Sequence, residues 1–515
     1  AGDLWGKDLY DCYDELIMKH PGATGKCGVW NIGTAGESQV AWSQAHLDKL
    51  ATLGRCGAAA LMGAKNLKAV VTLGTKGVPV ADAKRFLKVV NGIFKDMAKY
   101  PEVTSVPTPY CTTGSGAISE EYPLEIYNKT KGQSLACAAC PIACRDSLTI
   151  RDGRFAGLFS PRLQMQMVRD FGRRLKVSDY RDMIWFLDHI SRQGLDVLTA
   201  IRMLYFVIRL YERGVLNAED TGGLVLERGN IDAYLALLDK VIKREDIGDV
   251  MAQGWYALAQ KYGEAADASR DSRDGASIAK GWDTVTDARF EGVTPRVFTM
   301  SVRPSAGKEG IGDTYLHRGE DLNKETYFPK EFKASLPDLK RGAYEIGMSE
   351  EEIERIFVSP PGFLTTRLSK HAEDGAAVGD SLGVGFQNYH HGYPMRDLHL
   401  NAALYSAATG FDVSARDLKK GGERSVNMER LINVREGFTK EDDIAPVIWT
   451  QMIEEPIKLR SGEIYLTDWF GNKLSRADMD KLLDDYYDER GWDIERGRPT
   501  EQKLTELGLQ KLEGQ

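Results

Sequence analysis

The stretch "CAACPIAC", residues 137–144, holds three of the chain's seven cysteines at C-x2-C-x3-C spacing. Two thiolates three residues apart reach a common point only across a tight turn, so a metal bound there dictates the local backbone before any core packing does. A structural zinc would call for a second knuckle, and no second C-x2-C or C-x2-H follows at a suitable distance. A ferredoxin would place a fourth cysteine nearby. On spacing alone an iron–sulfur cluster, a zinc ion and unligated buried thiols all stay open, and the fourth ligand is not given.

A chain of 515 residues exceeds one core, so two or three domains are expected. No apolar run reaches about 18 residues, so no membrane span is expected. The opening "AGDLWGKDLYDCYDEL" lacks the basic flank and apolar stretch of a secretory signal. Lys and Arg number 67 against 75 Asp and Glu, a net charge of -8. The two signs are interspersed, with no basic stripe, which argues against nucleic acid as a partner. Few, odd and mostly scattered cysteines argue against a disulfide framework and for a reducing, cytoplasmic setting.

Along the chain, residues 1–80 are mixed α/β and glycine-rich, with "CGVWNIGTAGES" and "LKAVVTLGT" reading as short buried strands. Between them Gly54, Gly57 and Gly63 are interleaved with Arg55, Lys65, Asn66 and Lys68; glycines let a backbone approach a ligand closely, and cations meet its anionic groups. Residues 81–275 are mostly helical. "VADAKRFLKVVNGIFKDMAKY" is amphipathic, "DYRDMIWFLDHISRQGLDVLTAIRMLYFVIRLYERG" predicts two helices joined at "RQGLD", and "DAYLALLDKVIKREDIGDVMAQGWYALAQKYG" adds two more. From about 265 to 320 the chain is polar and weakly periodic, a linker followed by irregular structure. Helices resume from about 350, and "SRADMDKLLDDYYDERG" carries its own start and stop, Ser475 as N-cap and Gly491 as terminator.

"GRCGAAALMGAKNLKAVV", "CAACPIACRD" and "GDSLGVGFQ" stand in the order found in the tungsten-containing aldehyde:ferredoxin oxidoreductase family, and "LWGKDLYDC", "IGTAGES" and "YYDERGW" agree. The chain resembles that family over nearly its whole length, and its middle also resembles the class II benzoyl-CoA reductase branch. The resemblance implies an α+β multi-domain fold: residues 1–80 as the remnant of an N-terminal α/β pterin-binding domain, 81–275 as a helical domain with the cysteine motif, and 276–515 as a mostly helical third domain. It implies tungsten (molybdenum being the alternative metal) held by two pyranopterins, a 4Fe–4S cluster, and Mg2+ bridging the pterin phosphates. Cys137, Cys140 and Cys144 match cluster ligands. The pterin side is matched by Gly54, Arg55, Gly57, Gly63, Lys65 and Asn66, and by two D-x-x-G-L-(C/D) segments. The first is "SRQGLD", with Ser191 in the leading position and Asp196 retained; the second is "DSLGVG", with Asp380 and Gly383.

Three departures accompany the resemblance. Gly385 replaces the family's fourth cluster cysteine, with Cys27, Cys56, Cys111, His390 and His391 as alternative ligands. Where the family's glutamate is expected, "FSPRLQMQM" offers Arg162, Gln164 and Gln166, and amides cannot act as a base. The third-domain stretch "SVRPSAGKEGIGDTYLHRGED" supplies Glu309 and His317 as catalytic candidates, beside Arg303 and Lys308. The chain also starts well inside the family's first domain, and three alternatives stay open for the preceding part: a separate chain supplies it, the sequence is a fragment of a longer one, or the part is lost and the cofactor is bound differently. Three readings result: an aldehyde oxidase passing electrons to ferredoxin or an iron–sulfur partner subunit in an oligomer; a benzoyl-CoA reductase-like subunit; and a non-catalytic structural or electron-relay homologue.

Overall fold

In "CGVWNI", β-branched and aromatic residues bounded by glycine form the central strand of the first sheet. This is seen in a computed structural model that describes residues 2–20, 27–55, 57–98, 124–137, 140, 145–163, 165–271, 273–284, 287–302, 336–358, 363–385, 394–443, 445–459 and 462–510. The chain forms two units. One comprises Ala1–Gly77, Tyr100–Ala276 and Gly281–Asp283; the other comprises Val78–Lys99, Ser277–Lys280 and Thr284–Gln515.

The first unit opens with α1 (Leu9–Lys19), β1 (Cys27–Ile32), α2 (Thr34–Glu37), β2 (Ala45–Leu47), β3 (Ala51–Thr52), α3 (Ala58–Ala64) and β4 (Ala69–Leu73). The strands lie in the order β3-β2-β1-β4, antiparallel throughout, with Val29 opposite Val71 and Ile32 opposite Ala45. Alternation sends Val29 toward Cys12 and Leu16 of α1, and Ile32 toward Ala59 and Met62 of α3, so each face has its own apolar cover. Each stretch expected to be a buried strand holds one, but only in part: in the first, "TAGE" turns into α2, and β4 is half-buried with its last two residues exposed. The next helix, α4 (Ala83–Met97), belongs to the second unit.

The first unit resumes with α5 (Leu124–Thr130), then β5 (Lys131–Leu135), β6 (Arg145–Thr149) and β7 (Phe159–Leu163), a three-stranded antiparallel sheet. The sequence did not announce this sheet. "KGQSL" and "RDSLT" are too polar and short to carry a strand pattern, and pairing rather than propensity makes them strands. Helices α6 (Met165–Leu175), α7 (Tyr180–Gln193), α8 (Val197–Glu212), α9 (Ile231–Lys243), α10 (Asp246–Gln253) and α11 (Trp255–Tyr262) follow. The two helices expected on either side of "RQGLD" are α7 and α8: Gly194, left-handed at φ 76, ends one, and Asp196 caps the other. The stretch from 231 to 262 makes three helices where periodicity predicts two. Gly254, at φ 103, breaks the apolar pattern that α10 and α11 would otherwise share.

The second unit contains α12 (Ala288–Glu291), α13 (Pro295–Val302), α14 (Leu336–Glu345), α15 (Glu350–Ile356), α16 (Thr365–Leu382), α17 (Leu398–Thr409), α18 (Ala415–Arg435), α19 (Val447–Glu454), α20 (Arg476–Arg490) and α21 (Glu501–Leu507). Helix α16 is its axis, packed on α13, α18 and α20. The crossing with α18 is close because Gly422 has no side chain: a Cβ there would lie 2.0 Å from the Asp374 carbonyl oxygen. Ser475 and Asp478 form a reciprocal capping box on α20, and Gly491 ends it at φ 69. No described helix is long and apolar enough to cross a membrane.

Candidate cofactor site

The cysteine motif lies in the connection between β5 and β6, whose last pair is Leu135 opposite Arg145. Residues 136–144 therefore bridge two strand ends that pairing holds about 5 Å apart. Within that connection the Cys140 amide donates to the Cys137 carbonyl at 3.0 Å, a tight turn that suits two sulfurs on one centre. Cys137 is exposed and Cys140 half-buried. The base of the connection is fixed by Asp146, which is fully buried on β6. Its carboxylate accepts from the Tyr127 hydroxyl of α5 at 2.6 Å and the Ser134 hydroxyl of β5 at 3.0 Å, with Lys131 at 3.5 Å. The donor set fits an iron–sulfur centre as far as it is described; Cys144 lies outside the described residues. Among those residues no three His, Cys, Asp or Glu side chains converge as a metal set.

The glycine-rich loop and "SRQGLD" meet in a second cluster. Asp196 caps α8 by accepting from the Leu198 and Thr199 amides at 2.8 and 3.1 Å, and its other oxygen accepts from Arg55 Nε at 2.6 Å. Arg55 Nη1 donates to the Asp283 carbonyl at 2.9 Å; Nη2 donates to Thr199 Oγ1 at 2.8 Å and Asp283 Oδ2 at 2.9 Å. Both carboxylates and the guanidinium are buried. Burial pushes the Asp283 carboxyl up, but the Arg55 and Arg202 charges outweigh it and hold the group below the usual carboxylate range.

The glycines here admit neighbouring backbone. A Cβ at Gly57 would lie 2.4 Å from the Ala41 carbonyl oxygen, one at Gly63 1.9 Å from that of Gly36, and one at Gly33 2.3 Å from that of Gln193. Gly54 and Gly57 are left-handed at φ 71 and 69. Lys65 ends α3 and, with Asn66 at φ 52, is exposed. Lys68 is buried, donating to the Lys7 carbonyl at 2.8 Å and to Glu37.

The second D-x-x-G segment ends α16 in the other unit. Gly383, at φ 73, donates to the Asp380 carbonyl and Val384 to that of Gly379, at 3.2 and 2.9 Å. The same two bonds end α7, from Gly194 to Ser191 and from Leu195 to Ile190. The two segments thus share one helix-ending geometry. They differ at the sixth position: Asp196 is buried in its ion network, whereas Gly385 is exposed. Asp380 is exposed, and a Cβ on Gly383 would meet nothing within 4 Å among the described residues.

Glu309 and His317 lie outside the described residues, as do Cys56, Cys111, Arg303, Lys308, His390, His391 and the side chains of Arg162, Gln164 and Gln166. Several ionisable groups of the second unit were not found by motif. His371, fully buried on α16, lies 2.7 Å from Glu489 through Nε2 and 3.9 Å from Glu352 through Nδ1. Burial, reinforced by the charges of Lys419 and Lys370, pulls its imidazole down to about 4. Burial would raise Glu352 and Asp374, yet His371 and Lys419 beside the first, and Lys370 and Arg490 beside the second, bring each to about 2. The signal was present but faint: four charged or polar residues in "KHAED" sit in a helix with almost no exposed face.

Comparison with known proteins supplies the family. Residues 97–509 match the model for domains 2 and 3 of aldehyde ferredoxin oxidoreductase, and residues 1–74 match the model for its N-terminal domain. The tungsten-containing aldehyde ferredoxin oxidoreductase of Pyrococcus abyssi is 28% identical over 99% of this chain and 78% of its own length. That of Pyrococcus furiosus is 28% identical over 99% and 77%. A chain of the active-site complex of benzoyl coenzyme A reductase, solved with 1,5-dienoyl-CoA, shares the fold at a TM-score of 0.74 and 21% identity, covering 99% of this chain and 78% of that one. The chain belongs to the aldehyde ferredoxin oxidoreductase family and is an oxidoreductase of that family.

Proposed function

We propose that the protein is a tungstopterin and iron–sulfur enzyme that oxidises an aldehyde to a carboxylate and delivers electrons to ferredoxin or a partner subunit. The supporting observation is that relatives matching over 99% of the chain are tungsten-containing aldehyde ferredoxin oxidoreductases. Bound here, a tungsten bis-pyranopterin would supply two-electron redox chemistry and a 4Fe–4S cluster one-electron transfer. Cys137 and Cys140 would hold the cluster across their turn, with Cys144 as third ligand. Asp380 and Gly383 would receive one pterin, and the exposed Lys65 and Asn66 would meet anionic groups. Aldehyde and water yield carboxylate, three protons and two electrons, which two one-electron acceptors take singly.

A second reading is favoured by "FSPRLQMQM", which has no carboxylate where the family's glutamate is expected. A site without a strong base suits reduction of an aromatic acyl-CoA, and the solved protein of like fold holds a dienoyl-CoA. The test is anaerobic production of the full chain, with tungsten, molybdenum, iron and pterin measured per chain. Dye reduction by aldehydes is then compared with aryl-CoA reduction. Aldehyde-dependent turnover with tungsten present is expected; aryl-CoA turnover alone selects the second reading, and absence of both metals refutes both.

A further inference from the structure

The polar stretch that reads as a linker is fastened along one face of α8. Arg202, Tyr205 and Arg209, with Arg213 just past the helix end, recur at three and four residues and so share a face. Arg213 pairs with Asp271 at 2.6 Å, Arg209 with Asp274 at 2.9 Å, and Arg202 with Asp283 at 2.7 Å; the Tyr205 hydroxyl donates to Asp274 at 3.0 Å. The strap ends at Asp283. There Oδ1 accepts from the Thr199 hydroxyl at 2.7 Å and Trp255 Nε1 at 3.2 Å, and Oδ2 accepts from Arg55 at 2.9 Å and Arg202 at 2.7 Å. A carboxylate has about four acceptor sites, and these four donors fill them.

Arg55 leaves that cluster toward Asp196 and belongs to the loop that precedes α3. The loop carries two left-handed residues, Gly54 and Gly57, whose conformation costs backbone entropy to fix. The Thr199 hydroxyl donates to Asp283 and accepts from Arg55, while its amide donates to Asp196, so this one residue touches both carboxylates and the guanidinium between them.

We infer that Asp283 is a positioning residue for cofactor binding: it locks Arg55 against Asp196 and so holds the Gly54–Gly57 loop and the start of α3 in the conformation that receives the pterin. The inference rests on the tungstopterin reading for the word pterin, and on the contacts alone for the lock. Asp283 does not touch the cofactor in this scheme; it acts through Arg55.

The test combines hydrogen exchange with pterin content in the full chain. Asp283→Asn keeps the shape but removes the charge and turns one acceptor into a donor. Arg202→Met loosens the same carboxylate from the half-buried side, and serves if the first variant does not fold. Amides of residues 51–62 are expected to exchange about tenfold faster in both variants, as for loss of one charge-assisted hydrogen bond, with those of α9 and α10 unchanged. Pterin per chain is expected to fall at least about threefold under the same limiting supply, with Asp283→Glu restoring part of it. Exchange at 51–62 within twofold of wild type, acceleration spread evenly through the unit, or full pterin occupancy despite a loosened loop would each overturn the inference. Wild-type protein without pterin would sink the proposed function instead, while the exchange result still decides the lock.

Discussion

Acid should weaken the second unit in a pH window set by one histidine. His371 is fully buried on α16 and neutral at pH 7, its Nε2–H facing Glu489 at 2.7 Å. Charged groups surround it: Glu352 and Arg355 on α15, Lys370, Glu373 and Asp374 on α16, Lys419 and Glu423 on α18, Glu489 and Arg490 on α20. In the unfolded chain the imidazole takes a proton near 6.5, but in the folded chain only near 4. The unfolded state therefore binds more protons between those values, and stability falls as pH falls through them. The gap corresponds to about 3 kcal/mol, complete at pH 4. Asp374 and Glu352 act in the same sense but over a lower window: folding holds them near 2, so their stabilisation is present above about 4.5 and is lost as pH falls below it. The two windows barely overlap, which isolates the histidine. Urea unfolding followed by the fluorescence of Trp449 and Trp492, both buried in this unit, is the assay at pH 7, 6, 5 and 4.5. His371→Gln keeps a donor toward Glu489 and removes the titration. Wild type should lose about 2–3 kcal/mol more than the variant between pH 7 and 4.5. Parallel curves for the two proteins would refute the reasoning.

Arg490→Met removes the fully buried cation that Glu373 and Asp374 share, and should cost about 3–5 kcal/mol in the same unfolding assay; a loss under about 1 kcal/mol would show the carboxylates find other partners. Tyr127→Phe deprives buried Asp146 of a 2.6 Å donor, and should speed amide exchange in β5 and β6 by about tenfold, as for a lost hydrogen bond; unchanged exchange counts against its role as anchor. Gly63→Ala would drive a methyl to within 1.9 Å of a carbonyl oxygen and should abolish soluble protein, whereas Gly383→Ala meets nothing within 4 Å among the described residues and should cost only the left-handed conformation, about 1–2 kcal/mol. Equal stability of these two variants, compared by thermal melting, would remove the distinction.

What the sequence made legible follows from the range of the interactions involved. Ser475 with Asp478, and Gly491, mark α20 because caps are made by residues within one turn of each other. The junction at Gly194 and Asp196 was readable for the same reason. The partners of Arg55 were not, since Asp196 and Asp283 are 141 and 228 residues away, and no local pattern reports an ion pair of that span. Arg55 thus read as a cation available to a ligand, although four of its donors go to protein oxygens. The glycines misled in a related way: absence of a side chain signals close approach but does not say of what, and at Gly57 and Gly63 the neighbour is backbone. The cysteine spacing foretold a turn between Cys137 and Cys140, but not that the turn joins two paired strands, because "KGQSL" carries no strand pattern.

That hairpin sets an order of assembly. Zinc fingers stay unfolded until metal arrives, because their ligands are also their core. Here the strands on either side of residues 136–144 are closed by their own ladder and by Asp146 beneath it, none of which involves sulfur. Folding of the paired strands should therefore precede metal. Chain prepared without iron is expected to match the loaded protein in far-ultraviolet circular dichroism, and a collapsed spectrum would reverse the sequence of events.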